Sequence, residues 1–247
     1  MVLKLTKSVF KIFICFILLF AFAVKPLQAN SIYDRPYSFS ENDIDKERLT
    51  NTTLLLFGAG FVTMGILYLM PSSVTNWEDD GESPFRKWGK NVTEGPVWDK
   101  DDFFLNYVTH PYSGAIYYMG ARSAGANGWY SFWYSFALST FFWEYGIESF
   151  AEVPSIQDLI VTPVAGALLG EGFYIAKRHI LKNDSKLLGS KAFGKTALLL
   201  MDPMTEVSNW LWYDEPKPMN DTLTFNASPL YSPRSGVGYK LSLQFNF

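Results

Sequence analysis

Cysteine is nearly missing from this chain. Its 247 residues hold one, Cys15, inside an apolar run close to the N-terminus, so neither a disulfide nor thiol chemistry is expected beyond that run. Histidine is almost as scarce, with His110 and His179 the only two. The Glu-x-x-His pairs of a carboxylate-bundle metal centre do not occur. Charge is sparse as well: 18% of residues are charged and the formal net charge is −3. The chain therefore lacks the basic footprint that phosphate backbones require, which argues against nucleic acid as a main partner. No G-x-S-x-G, P-loop or dinucleotide fingerprint occurs, and no internal repeat or low-complexity tract is evident.

Apolar and aromatic side chains are abundant instead. Hydrophobic residues make up 48% and aromatics 17%, including 8 Trp, 14 Tyr and 21 Phe. Such residues concentrate where one end of a side chain is apolar and the other wet, membrane interfaces included. Lys4 and Lys7 followed by "VFKIFICFILLFAFAV" and "LQAN" read as a signal peptide over residues 1–29, cleaved after Ala29. A retained anchor is the alternative. Ile14 before Cys15 is not the small residue of a lipoprotein site.

Residues 30–105 form an N-terminal segment. It opens with a polar, irregular stretch over 30–50. The uncharged run Thr52–Met70, stopped by Pro71, is long enough to cross a bilayer. A buried core helix or one lying along a membrane surface would read the same way. Gly58, Gly60 and Gly65 would let another helix approach closely. Residues 72–105 read as a charged, Trp-bearing connection.

Residues 106–202 read as a helical bundle. Pro111 suits a first helical position, which predicts a helix over Pro111–Ser123. "AGANG" is a turn. A second helix is expected over Trp129–Phe150. A third follows Pro154 and runs to Leu181, with Ser155 and Asp158 at capping-box spacing. A looser helix covers Ser190–Met201. From 203 onward, "DPMTEVSNWLWYDEPKP" continues from Asp202 as a loop with a short helical turn at best. "GYKLSLQFNF" alternates strictly, the period of a strand with one apolar face; "TLTFNAS" is its expected partner.

Short connections make neighbouring helices antiparallel. His110 then meets Glu144, Glu148 and Asp158 at one end of the bundle, while Arg122 and Glu171 meet at the other as a structural ion pair. Glu144 and Glu148 share a helix face, so one is protonated or a cation or water separates them. Each feature also has a plain reading: Asp158 as a helix cap, His110 as the start of a helix beside Pro111. His110, Glu144 and Asp158 match an iron facial triad in type, but their spacing matches no dedicated metal motif, and neither metal nor cofactor is expected. With Ser113 one turn beyond His110, the cluster His110, Ser113, Glu144, Glu148 and Asp158 is the candidate catalytic set. The basic stretch at the end of the third helix offers Lys177, Arg178 and Lys182 to anionic lipid headgroups, or complements the helix dipole.

The order "NYVTHPYSGAIYYMGARSAG", "FWEY" and "PSIQDLIVTPVAGALLGE" resembles an uncharacterised bacterial envelope family, the domain of unknown function 3943. That resemblance implies an exported protein and no established reaction. Many members have a longer C-terminal β region, and this chain has room for about two strands where the smallest outer-membrane barrels need about eight. The helix arrangement is similar, more weakly, to VanZ-like membrane proteins.

Together these readings predict a mainly α fold: a membrane-associated antiparallel helical bundle with a short C-terminal β-strand or hairpin. The expected role is non-enzymatic, structural or lipid-contacting, in the cell envelope at the outer membrane or in the periplasm, or at the inner membrane if the 52–70 helix is retained there. Membrane lipid is the expected partner, with a possible envelope protein reached through the C-terminal strand. A membrane-embedded hydrolase or transferase acting on a lipid or cell-wall intermediate is the alternative.

Overall fold

The computed structural model describes Tyr33, residues 36–75, 77, 81–98 and 103–213, together with the strand backbone of 222–232 and 236–246. The expected signal peptide lies outside the described residues. Helix dominates the described chain. Helix α1 covers Lys46–Tyr68, so it begins within the stretch expected to be irregular. The reason is a cap: the Asp45 carboxylate accepts from Arg48 N at 3.0 Å and satisfies an orphan donor of the first turn. Pro71 follows its end. The expected charged connection carries two helices as well, α2 at Ser72–Thr75 and α3 at Pro84–Glu94.

The bundle proper consists of α4 (His110–Arg122), α5 (Gly128–Ala137) and α6 (Ile156–Lys182). A π-helical turn, Leu105–Thr109, leads into α4. The second expected helix is continuous but changes its winding: α5 passes into a π-helix over Leu138–Ile147 and ends as a 3-10 turn, Glu148–Phe150. Two further helices complete it, α7 (Lys191–Met201) and α8 (Pro203–Trp212). The latter corrects the loop expected after Asp202. Asp202 caps α8 by accepting from Thr205 N, and Pro203 occupies its first turn, where its missing N–H costs nothing.

Helices α4 and α6 pack most closely. A Cβ added at Gly114 would lie 1.9 Å from the Thr162 carbonyl oxygen, and one at Gly166 would lie 2.6 Å from Gly114. The two backbones touch, and only glycine permits it. The Asp158–Thr162–Gly166–Gly170 stripe is thus a close-packing seam. Helix α1 uses its small residues less: of Gly58, Gly60 and Gly65, only Gly60 faces a neighbour, the Phe142 ring.

The apolar core is modest. Met119, Tyr174, Ile180, Leu181 and Leu198 form one cluster with Tyr33, and Leu56, Tyr117 and Leu138 a second. Much of the interior is polar instead, and many large apolar side chains point outward.

Candidate functional site

Helix starts and the π-helical segments converge on one corner of the bundle. His110 is the first residue of α4, directly after the π turn Leu105–Thr109. Glu144 lies inside the second π segment and Glu148 just after it. Asp158 sits in the first turn of α6. One ligating atom each from His110, Glu144 and Asp158 lies within 4.8 Å of the others. Glu144 is 1% exposed and Asp158 3%. π-Helical turns inside α-helices recur at functional sites because the widened turn redirects side chains, and here two of them flank or carry members of the trio.

The contacts around the trio are specific. His110 Nδ1 is 3.1 Å from Thr162 Oγ1 and 3.5 Å from Asp158 Oδ1. The expected capping box is only half built. Ser155 Oγ accepts from Asp158 N at 3.1 Å, as a cap should. The reciprocal bond is made by a different residue, since Ser155 N donates to Glu144 Oε2 at 3.1 Å. Glu144 therefore takes over the bond that the Asp158 side chain would make in a complete box, and the Asp158 carboxylate faces His110. The plain capping reading accounts for Ser155 but not for that carboxylate.

Glu148 is buried beside Glu144. Burial, and then the Glu144 carboxylate, hold its carboxyl well above the usual range. Helix α3 roofs this corner. Trp88 Nε1 donates to the Tyr145 carbonyl at 2.8 Å and Asn91 Nδ2 to the Ser149 carbonyl at 3.1 Å. Val97 bridges to Pro154 and Ile156 through backbone bonds of 2.9 and 2.8 Å. Glu152 accepts from Trp77 Nε1 at 3.0 Å. Ser113 is half-buried one turn along α4.

The expected Arg122–Glu171 pair is present. Arg122 reaches the carboxylate twice, at 3.0 and 3.2 Å, and Tyr37 and Tyr118 donate to the same group. The guanidinium is further held by the carbonyls of Ser38 and Ala126. This is an internal, fully hydrogen-bonded pair.

The expected lipid-facing basic end is corrected. Lys177 is fully buried and Arg178 6% exposed; of the three, Lys182 alone is exposed. Lys177 Nζ donates to Asp202 Oδ2 at 2.7 Å and lies 2.8 Å from Glu206 Oε1. Asp202 also accepts from Ser123, to which Tyr33 donates. Arg48 bonds Asn209 nearby. This second polar centre is not readily legible in the sequence, where its carboxylates lie in a stretch that reads as a loop. The cap signature Asp202-Pro203, with Glu206 in the first turn, could have shown it.

The described molecule is thus a helical bundle in which several ionisable groups are buried and many large apolar side chains are exposed. Residues 95–204, a little under half of the chain, match the model of the family described as a domain of unknown function, DUF3943. No curated protein and no solved structure matches the chain.

Proposed function

We propose that this is an exported protein of the bacterial cell envelope whose helical bundle is embedded in a membrane, where it has a structural or lipid-contacting role. The observation that carries the reading is an inverted distribution of polarity. Leu54, Phe61, Val62 and Leu69 on and after α1, Trp129, Trp133 and Phe141 on the α5 arm, and Ile160 and Leu168 on α6 are all more than half exposed. Meanwhile Glu144, Asp158, Lys177, Asp202 and Glu206 are sealed inside. In water that arrangement leaves many large apolar side chains facing solvent, and in lipid it is the favoured one. Helices α1 and α6 are long and apolar enough to cross a bilayer. The ladder of β1 (Thr222–Ser232) with β2 (Gly236–Asn246) belongs to the same reading, as a strand pair available to a partner sheet in the envelope. Alkaline carbonate extraction of fractionated membranes tests the proposal. The protein is expected in the pellet and to be released only by detergent; recovery in the soluble fraction refutes it.

A second reading is favoured by the convergence of His110, Glu144 and Asp158 at one end of the bundle. It makes the protein a membrane-embedded hydrolase or transferase acting on a lipid or cell-wall intermediate. A Glu144→Gln strain that reproduces the lipid profile of a deletion strain, with normal protein levels, supports it. A wild-type profile refutes it.

A further inference from the structure

We infer that His110, Glu144 and Asp158 form a binding site for one divalent transition-metal ion. The donor set is one imidazole nitrogen and two carboxylate oxygens, a mixture that suits zinc, manganese or iron and is poorly matched to magnesium or calcium. The His110–Asp158 separation falls within the range such an ion requires. Donors at about 2.0–2.2 Å from a common ion stand roughly 3–4.4 Å apart. Those of the trio all lie within 4.8 Å of one another. His110 Nδ1 and Asp158 Oδ1, at 3.5 Å, are too far apart for a charge-assisted hydrogen bond, which would close to about 2.7–2.9 Å. They have the spacing of two ligands on one tetrahedral edge, about 3.4 Å.

A second observation points to a ligand in the same place. Glu148 is 8% exposed, packs against Glu144, and its Oε2 has no hydrogen-bond partner among the described residues. Four ionisable groups of one corner, His110, Glu144, Glu148 and Asp158, carry three potential negative charges against one potential positive charge. A buried excess of that kind is neutralised by protons or by a cation. The carboxylate side of the scaffold is already fixed, since Ser155 N holds Glu144 and the Ser155 cap fixes the first turn of α6; an ion at His110 Nδ1 would replace that nitrogen's 3.1 Å contact with Thr162 Oγ1. Such outer contacts orient ligands in metal centres. Of the donors, Glu144 lies within one π segment and His110 directly follows the other. No local sequence motif reveals the site, because its three donors come from three helices.

The test uses the full chain, purified untagged in detergent, stripped with a chelator and titrated with Zn(II) and separately with Mn(II) by calorimetry, with metal content measured after dialysis. One ion per chain is expected, with at least tenfold weaker binding in each of Glu144→Gln, Asp158→Asn and His110→Gln. The chain has only one other histidine, the exposed His179, so His179→Gln should bind as the wild type does. If the ligand variants fail to fold, pulsed electron-spin resonance of the wild type loaded with Cu(II) decides, by showing one imidazole nitrogen coupling that His179→Gln retains. Absence of saturable binding overturns the proposal. So does full-affinity binding in the ligand variants, or a coupling that disappears with His179.

Discussion

Replacing Gly166 by alanine isolates the contact on which the whole corner depends. The added Cβ would lie 2.6 Å from Gly114 Cα and carbonyl carbon and 2.9 Å from Ala115 N. All three are backbone atoms that cannot swing aside. Ordinary contact begins near 3.4 Å, so α4 and α6 must separate by most of an ångström. Overpacking of this kind costs about 1–3 kcal/mol, partly offset by up to about 1 kcal/mol from the better helix propensity of alanine. Separation also loosens the His110–Thr162 contact, one turn from Gly166. Gly172 on the same helix is the control, since nothing lies within 4 Å of a Cβ there. Its alanine variant should be neutral or more stable by about 0.5–1 kcal/mol. Unfolding of both variants in mixed micelles, followed by circular dichroism, measures the difference. A Gly166→Ala protein as stable as Gly172→Ala would refute the seam.

Glu206 should give the fold a pH dependence. Burial first of all, partly opposed by Lys177, raises its pKa from 4.5 to about 7. The unfolded chain therefore releases this proton near pH 4.5 while the native one keeps it to about pH 7. Stability falls across that window by roughly 3 kcal/mol, and Glu206→Gln should flatten the melting temperature against pH. Lys177→Met leaves Asp202 and Glu206 buried without their ammonium and should cost about 3–5 kcal/mol, seen as loss of folded protein in detergent. Glu171→Ala, which strands Arg122, should cost a similar amount by the same assay. Ser155→Ala removes the α6 cap and should cost about 1 kcal/mol in chemical denaturation.

The helices of the bundle were legible because their boundaries are written in local signals: Pro111, the "AGANG" turn and the Ser155 cap. Rough alignment by rise per residue was enough to bring His110 to Glu144 and Asp158, and Arg122 to Glu171. Three things were not legible. The basic run at Lys177 reads as surface because a sequence shows its charge and not the Asp202 and Glu206 carboxylates that fold back over it from α8. The connection over 72–105 hides α3, whose Trp88 and Asn91 are fixed by carbonyls far along the chain. The exchange of capping partners, with Glu144 serving Ser155 in place of Asp158, arises from packing between helices. No spacing within α6 could reveal it.

The π-helix over Leu138–Ile147 has a genetic consequence. Each of its wide turns holds about one residue more than an α-helical turn, and Glu144 lies within them. Loss of one codon within the segment would be absorbed as narrower, more α-like turns that leave the helix on either side in place. A codon lost before Glu144 would move that carboxylate back by one position, about 100° around the helix axis, and away from His110. Reading-frame-preserving deletions here should therefore separate the folding of this arm from whatever its acidic corner does.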